Sequence, residues 1–125
     1  MKISGFDHFV LTVASIDKTV AFYERVLGMQ AETFGEGRMA LKFADQKVNL
    51  HEAGRPFSPH ANDPAPGSGD FCLIVDDVAA AKTHIQACGV VVSQGPVART
   101  GAQGPVTSIY LRDPDGNLIE LAQYD

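Results

Sequence analysis

Residues 7–13 read DHFVLTV and residues 69–75 read GDFCLIV, so both halves of the chain open on the same kind of segment. Both segments alternate weakly between apolar and polar side chains, as a half-buried β-strand does. Each runs into a helix-like stretch that closes at a glycine, Gly28 in the first half and Gly89 in the second. An internal repeat on this scale decides the fold, because each copy forms one supersecondary unit.

The two halves predict the same order of elements, β-α-β-β-β. The first helix is expected to begin after Ser15, whose hydroxyl can accept a hydrogen bond from a free amide of the first turn, and to end at Gly28. Strands are expected over 6–13, 29–34, 38–43 and 47–52.

In the second half either Asp76 or Asp77 can cap the helix. The β-branched run 90–92, which follows Gly89, is expected to be the next strand, and residues 94–105, which are rich in glycine and proline, are expected to form a loop. The last two strands are expected over 106–112 and 117–123, joined by the turn Asp-Pro-Asp-Gly at 113–116.

Residues 54–69 carry four prolines and three glycines, a composition that neither a helix nor a central strand tolerates. They predict a linker between a module at 1–53 and a module at 70–125. The expected fold class is α+β, with two βαβββ modules whose curved sheets enclose a cavity and whose helices lie on the outer face. At 125 residues the modules make a single domain.

Composition excludes several classes of function. A net charge of −5 argues against a nucleic-acid partner, which requires clustered basic residues. The sequence has no long apolar run and no leader-like start, so no membrane partner and a cytoplasmic location are expected. The two cysteines, Cys72 and Cys88, lack a CxxC spacing and are expected to be buried free thiols.

Strand alternation predicts four positions that face the cavity. In the opening strands these are His8 and Asp70, and in the closing strands they are His51 and Glu120, because their apolar neighbours face outward. Glu52 is the rival of His51, since a gapless overlay of the closing strands pairs it with Glu120 and a bulge would reverse the parity.

Two imidazoles and two carboxylates together predict a divalent metal site with mixed nitrogen and oxygen ligands. Nickel, zinc, manganese and iron all suit such a set, whereas calcium prefers more oxygen ligands. A single histidine or glutamate on a strand is more often an ordinary surface residue, so the prediction depends on the matched positions in the two halves. Glu120 could also serve as a catalytic base, if it lies within hydrogen-bonding reach of the substrate proton.

Four further residues are candidates for substrate binding. Arg38 and Lys42 share the polar face of their strand and could contact an anionic substrate, although a solvated strand edge explains them equally well. Arg99 lies in the glycine-rich loop and could close over a ligand. Tyr110 is a candidate for the cavity wall.

The chain resembles the vicinal oxygen chelate superfamily, which includes glyoxalase I, bleomycin and fosfomycin resistance proteins, extradiol dioxygenases and methylmalonyl-CoA epimerase. The resemblance lies in His8, the helix ending at Gly28, the second copy of the unit, and the sequence DPDGNLIEL at 113–121. The segments NLHE at 49–52 and RTGA at 99–102 are similar to those of small glyoxalase-domain-containing proteins.

The resemblance implies paired modules, a divalent metal and a homodimer. Carried over by position, it implies His8 and Glu120 as metal ligands. The chain departs from the family pattern at Asp70, where the family most often has histidine, and at His51, where glyoxalase I often has glutamate.

Two classes of function follow from this resemblance. The first is a metal-dependent lyase or isomerase of the glyoxalase type that acts on a small oxygenated substrate, with the metal as a Lewis acid. The alternative is a metal-free protein that binds a drug or metabolite, as bleomycin resistance proteins do. Dioxygenase and thiol-transferase chemistry remain further alternatives, and the sequence does not identify the substrate.

Overall fold

The computed structural model describes all 125 residues, which form two compact units, Met1–Ser68 and Gly69–Asp125. Each unit contains one helix and one four-stranded mixed sheet, with strand order β1-β4-β3-β2 in the first and β5-β8-β7-β6 in the second. This confirms the α+β class and the repeated βαβββ order. Neither helix has the length and hydropathy that a membrane span requires.

The first unit follows the order of elements that the sequence predicts. Its first and last strands pair in parallel, and the two hairpin strands pair antiparallel. The elements are β1 (His8–Val13), α1 (Ile16–Leu27), β2 (Gln30–Phe34), β3 (Arg38–Phe43) and β4 (Gln46–Glu52).

Helix α1 is capped at both ends as expected. The Ser15 hydroxyl accepts a hydrogen bond from the Lys18 amide at 3.2 Å, and Gly28 adopts the left-handed conformation at φ 66°. The helix packs on β2, β3 and β4, burying Tyr23 and Val26. One face of the sheet is thereby covered, and the other remains available for polar side chains.

The second unit repeats this order, with one difference from the prediction. Its elements are β5 (Asp70–Ile74), α2 (Val78–Ala87), β6 (Gln94–Gly101), β7 (Gly104–Arg112) and β8 (Leu118–Tyr124). The expected strand at 90–92 and the expected loop at 94–105 are both wrong, because residues 94–101 form β6 and pair with β7. The register shifts between Gln94 and Val97, and this irregularity accommodates the glycine and proline that argued against a strand.

The turn before β8 connects this strand to the start of β5. The buried Asp113 carboxylate accepts hydrogen bonds from the amides of Asp115 and Asn117 and from the Asn117 side chain, at 2.9, 3.0 and 2.7 Å. The side-chain oxygen Oδ1 of Asn117 in turn accepts a hydrogen bond from the Gly69 amide at 2.7 Å. This network fixes the register in which β5 and β8 present Cys72 and Glu120 side by side.

Candidate functional site

The strand register of the first unit assigns its polar side chains to one face. His8 pairs with Lys47, and Thr12 pairs with His51. Since side chains alternate along a strand, His51 shares the face of His8 and Glu52 points to the other side. Glu52 is ion-paired there with Arg55. The register thus places His51, and not its rival Glu52, on the face opposite α1.

His8 is oriented by the residue before it. The Nδ1 atom of its ring lies 2.6 Å from Oδ2 of Asp7, and this hydrogen bond, together with the charge of the imidazole, lowers the pKa of Asp7. A carboxylate on one ring nitrogen is the usual support of a histidine that ligates a metal through the other nitrogen. The half-exposed ring of His8 therefore suits metal ligation through Nε2.

His51 lies in different surroundings. It is 2% exposed, its Nε2 atom is 3.4 Å from the guanidinium of Arg38, and the Phe57 ring packs edge-on at 5.6 Å between ring centroids. Burial, the Arg38 charge and His60 lower the pKa of His51, so the ring is neutral at pH 7. A metal ion at Nε2 would have to displace a guanidinium, which makes His51 a poor ligand in this arrangement.

The structure does not bring His8 and His51 together. Their register positions are four residues apart along β1, which corresponds to roughly 13 Å. Neither unit assembles three or more histidine, cysteine, aspartate or glutamate side chains at a single point. His8 and Glu120 fit a metal individually, through one supported imidazole and one carboxylate, whereas His51 does not.

Glu120 lies at a cavity within the second unit. The cavity has a volume of about 390 Å³ and Glu120 is the one carboxylate in its wall. The other lining residues are mainly aliphatic or small, and they are Cys72, Ile74, Thr100, Gly101, Ala102, Val106, Ala122 and Tyr124.

The thiol of Cys72 is the direct neighbour of the Glu120 carboxylate, because the two residues are paired across β5 and β8. Desolvation, the Glu120 charge and a hydrogen bond to Glu120 raise the pKa of Cys72 from 9.0 to about 11. Cys72 is therefore a neutral thiol at pH 7 that donates its proton toward the carboxylate. Both cysteines are free, as expected, but Cys72 is exposed and the prediction that it is buried is wrong.

The remaining predicted residues are distributed over both sheets. Tyr110 pairs with Glu120, and its hydroxyl accepts a hydrogen bond from Nε of Arg99 at 3.1 Å. Arg99 belongs to β6, so the prediction that it lies in a loop is wrong. Asp70 is exposed at the start of β5, and Lys42 is exposed and 3.9 Å from Glu32.

Several residues near these groups were not among the sequence candidates. Lys47 and Asn49 could have been found, because they alternate in phase with His51 along β4. Phe57 belongs to the proline-rich segment, whose composition gives no indication that it packs on His51. Cys72 was expected to be a buried free thiol and was not considered as a neighbour of Glu120, with which it pairs across β5 and β8.

Residues 5–121 match the family model described as the Glyoxalase/Bleomycin resistance protein/Dioxygenase superfamily, and the chain belongs to this superfamily. The glyoxalase domain-containing protein RDO1 of Mycosarcoma maydis is 51% identical over 99% of this chain and 70% of its own length. The virulence protein STM3117 of Salmonella typhimurium is 50% identical over 99% of this chain and 87% of its own.

Solved structures agree with this assignment. A protein from the mobile metagenome of V. pseudocholerae is 56% identical, with a TM-score of 0.98 over 100% of this chain and 98% of its own. More distant similarities include a probable lactoylglutathione lyase of Vibrio parahaemolyticus, 31% identical over 93% of this chain and 88% of its own length. The antibiotic-binding protein TnmS3 of Streptomyces is 29% identical, with a TM-score of 0.79 over 100% of this chain and 99% of its own.

Proposed function

We propose that the chain is a divalent-metal-dependent enzyme of the glyoxalase-like type, with lyase or isomerase chemistry on a small oxygenated substrate. The observation that carries the proposal is the Glu120 carboxylate in the wall of an otherwise carboxylate-free cavity of about 390 Å³. A cavity of this size with few polar groups is typical of a small-molecule site. The relationship to a probable lactoylglutathione lyase supports the same type of chemistry.

Glu120 is the residue that would move the proton. A carboxylate that lies within hydrogen-bonding reach of a carbon-bound proton next to a carbonyl can remove it and return it to a neighbouring atom. Cys72 remains protonated and hydrogen-bonds to the carboxylate, which restricts its orientation. The aliphatic side chains of Ile74, Val106 and Ala122 supply apolar surface to the wall beside the carboxylate.

His8 and Glu120 are each proposed as a metal ligand, as the superfamily resemblance implies for these two positions. The Asp7 carboxylate on Nδ1 of His8 supports the choice of His8, because it fixes the tautomer that leaves Nε2 free to ligate. A bound divalent ion would act as a Lewis acid that stabilises negative charge developing on a substrate oxygen. Nickel, zinc, manganese and iron are all compatible with one imidazole and one carboxylate.

Elemental analysis tests the metal dependence. Untagged protein is incubated with each of the four metals, desalted and analysed, and the wild type is expected to retain about one equivalent per chain. His8→Ala and Glu120→Gln should each lose the metal, while His84→Ala, on α2, serves as the matched histidine control and should retain it. Wild-type protein that retains none of the four metals would overturn the proposal.

A metal-free binding protein for a drug or metabolite is the second candidate. The aliphatic and aromatic character of the cavity wall favours it, as does the similarity to the antibiotic-binding protein TnmS3. In that case an apolar ligand should bind with equal affinity to wild type and to His8→Ala. Metal-dependent affinity, lost in His8→Ala, would exclude this candidate.

A homodimer is also proposed, as the superfamily resemblance implies. Light scattering coupled to size-exclusion chromatography measures the mass directly. The chain has a mass of 13.3 kDa, so a species of twice that mass is expected, and a single peak at the chain mass would contradict it.

A further inference from the structure

A second group of side chains in the first unit carries the positive charges of Arg38 and Lys47. Lys47 contributes, after His8, to lowering the pKa of Asp7 but forms no ion pair with it. The guanidinium of Arg38 lies between two phenyl rings, 5.2 Å from the centroid of Phe34 and 4.6 Å from that of Phe57. The ammonium of Lys47 lies 3.6 Å from the Phe34 centroid. None of the ion pairs in the structure includes Arg38 or Lys47, although the chain as a whole carries a net charge of −5.

His51 completes this group, named here the Arg38 cluster: Phe34, Arg38, Lys47, His51 and Phe57. Because Arg38 can only donate, the His51 Nε2 atom that faces it must accept, and the ring proton then lies on Nδ1. That Nδ1 atom is buried and has no hydrogen-bond partner. Such an unpaired buried donor is costly unless a ligand or water satisfies it.

Asn49 adds a second unsatisfied group on the same face. It lies between Lys47 and His51 in β4, is 5% exposed, and its side-chain oxygen has no hydrogen-bond partner. The buried His51 N–H without a partner, next to a guanidinium that forms no ion pair, is the feature of a site for a hydrogen-bond acceptor. The unpaired Asn49 oxygen is itself an acceptor and does not attract an anion. Cation–π contacts with the two phenyl rings hold the guanidinium, whose Nη2 atom points to His51 Nε2, and its remaining donors can bind oxygen atoms.

We propose that the Arg38 cluster is a binding site for a small oxyanion, a carboxylate or a phosphate. Arg38 supplies the paired donors that match the two oxygens of such a group, and Lys47 supplies a second positive charge. The phenyl rings of Phe34 and Phe57 partly desolvate both cations, which strengthens their attraction for an anion. Binding of the anion itself requires no metal. The inference rests on the proposed function only where it identifies the anion as part of the substrate.

Nuclear magnetic resonance on the full chain tests the site. Metal-stripped protein is titrated with sodium phosphate and with sodium acetate at constant ionic strength, and with neutral acetamide as the control probe. Saturable shifts of the His51 ring and of the Arg38 and Lys47 amides are expected with at least one of the two anions and not with acetamide. Saturation by phosphate alone or by acetate alone identifies which oxyanion the site prefers.

Substitutions locate the binding. Arg38→Gln should weaken the affinity about tenfold to a hundredfold, as expected for the loss of a charged hydrogen-bond donor, and Arg38→Lys should weaken it less. Arg25→Gln removes the same charge from α1 and should leave the affinity unchanged. Lys47→Gln provides an independent variant, so the test holds if thermal unfolding shows that Arg38→Gln is not folded.

The proposal is overturned if neither anion shifts these signals or if the shifts grow linearly without saturation. It is also overturned by saturation with equal affinity in wild type, Arg38→Gln and Lys47→Gln. Because every titration uses metal-stripped protein, loss of this site and loss of metal dependence are separate outcomes. A chain that binds phosphate but retains no metal would keep this inference and refute the proposed function.

Discussion

Replacing Glu120 by glutamine should lower the pKa of the Cys72 thiol. The neighbouring carboxylate raises this pKa by its charge and by accepting a hydrogen bond from the thiol. In the neutral amide the charge effect is lost and the hydrogen bond to the remaining acceptor oxygen is weaker. Desolvation, which is the largest cause of the shift, is unchanged. The pKa of Cys72 in Glu120→Gln is therefore expected between the ordinary value of 9.0 and the wild-type value of about 11.

The magnitude of the effect follows from the thiolate fraction. At pH 8 a thiol with a pKa of about 11 is about 0.1% ionised, compared with about 10% at a pKa of 9.0. A thiolate of higher pKa is intrinsically more nucleophilic, which offsets about tenfold of this difference. The alkylation rate of wild-type Cys72 should thus be about tenfold below that of an unperturbed thiol, and Glu120→Gln should recover part of it.

Alkylation by iodoacetamide measures both quantities. Cys72 is exposed, so the reagent can reach it, and a Cys88→Ser background leaves Cys72 as the remaining thiol. The rate is followed by mass spectrometry from about pH 7 to about pH 12, and a fit of the profile gives the pKa. Tyr124→Phe, in the same cavity wall, is the matched control and should leave this pKa unchanged. The reasoning is refuted if the wild-type pKa lies at or below 9, or if Glu120→Gln does not lower it.

Three further predictions concern stability. Burial lowers the pKa of His51 in the folded protein, so the unfolded chain binds the proton at a higher pH than the folded chain. The wild type should therefore lose stability as the pH falls below the ordinary value of 6.5, by up to about 1.4 kcal/mol per pH unit. His51→Gln should flatten this dependence in urea unfolding at pH 7.5, 6.5 and 5.5. Asp113→Ala should lower the free energy of unfolding by about 3 kcal/mol, because it leaves the Asn117 amide and side chain without their acceptor. Gly95→Ala should lower it by about 3 kcal/mol, since its Cβ would lie 2.3 Å from the Ser108 carbonyl oxygen at a φ of +105°.

Each of the three stability predictions can be contradicted by a specific result. A His51→Gln variant whose stability falls with acid as steeply as that of the wild type would show that His51 does not titrate as described. Asp113→Asn, which keeps one acceptor oxygen, should be less damaging than Asp113→Ala, and equal losses would argue against the hydrogen bonds as the cause. A Gly95→Ala variant as stable as the wild type would show that β6 can shift away from β7 at no cost.

The repeat could be predicted from the sequence because local patterns of residues encode it. Helix caps such as Ser15 and Gly28, and the Asp-Pro-Asp-Gly turn, depend on interactions within a few residues, and all three are found where expected. Alternation along β4 likewise placed His51 on the face of His8.

The errors lie where long-range pairing overrides composition. Glycine and proline in residues 94–101 argued for a loop, yet pairing with β7 makes these residues a strand, with a register shift that absorbs the irregularity. Long-range contacts also limit the prediction of the candidate site. Contacts of Phe57 with Arg38 and His51 join the proline-rich segment to the sheet, and no local pattern encodes them.

Calorimetric titration of metal-stripped protein tests the central claim most directly. Nickel, zinc, manganese and iron(II) are each added, the last under anaerobic conditions, to wild type, His8→Ala, Glu120→Gln and the control His84→Ala. The account predicts that wild type and His84→Ala bind at least one of these ions with about one ion per chain, and that His8→Ala and Glu120→Gln bind it at least tenfold more weakly. Equal affinity in all four proteins, or no binding to the wild type, would contradict it.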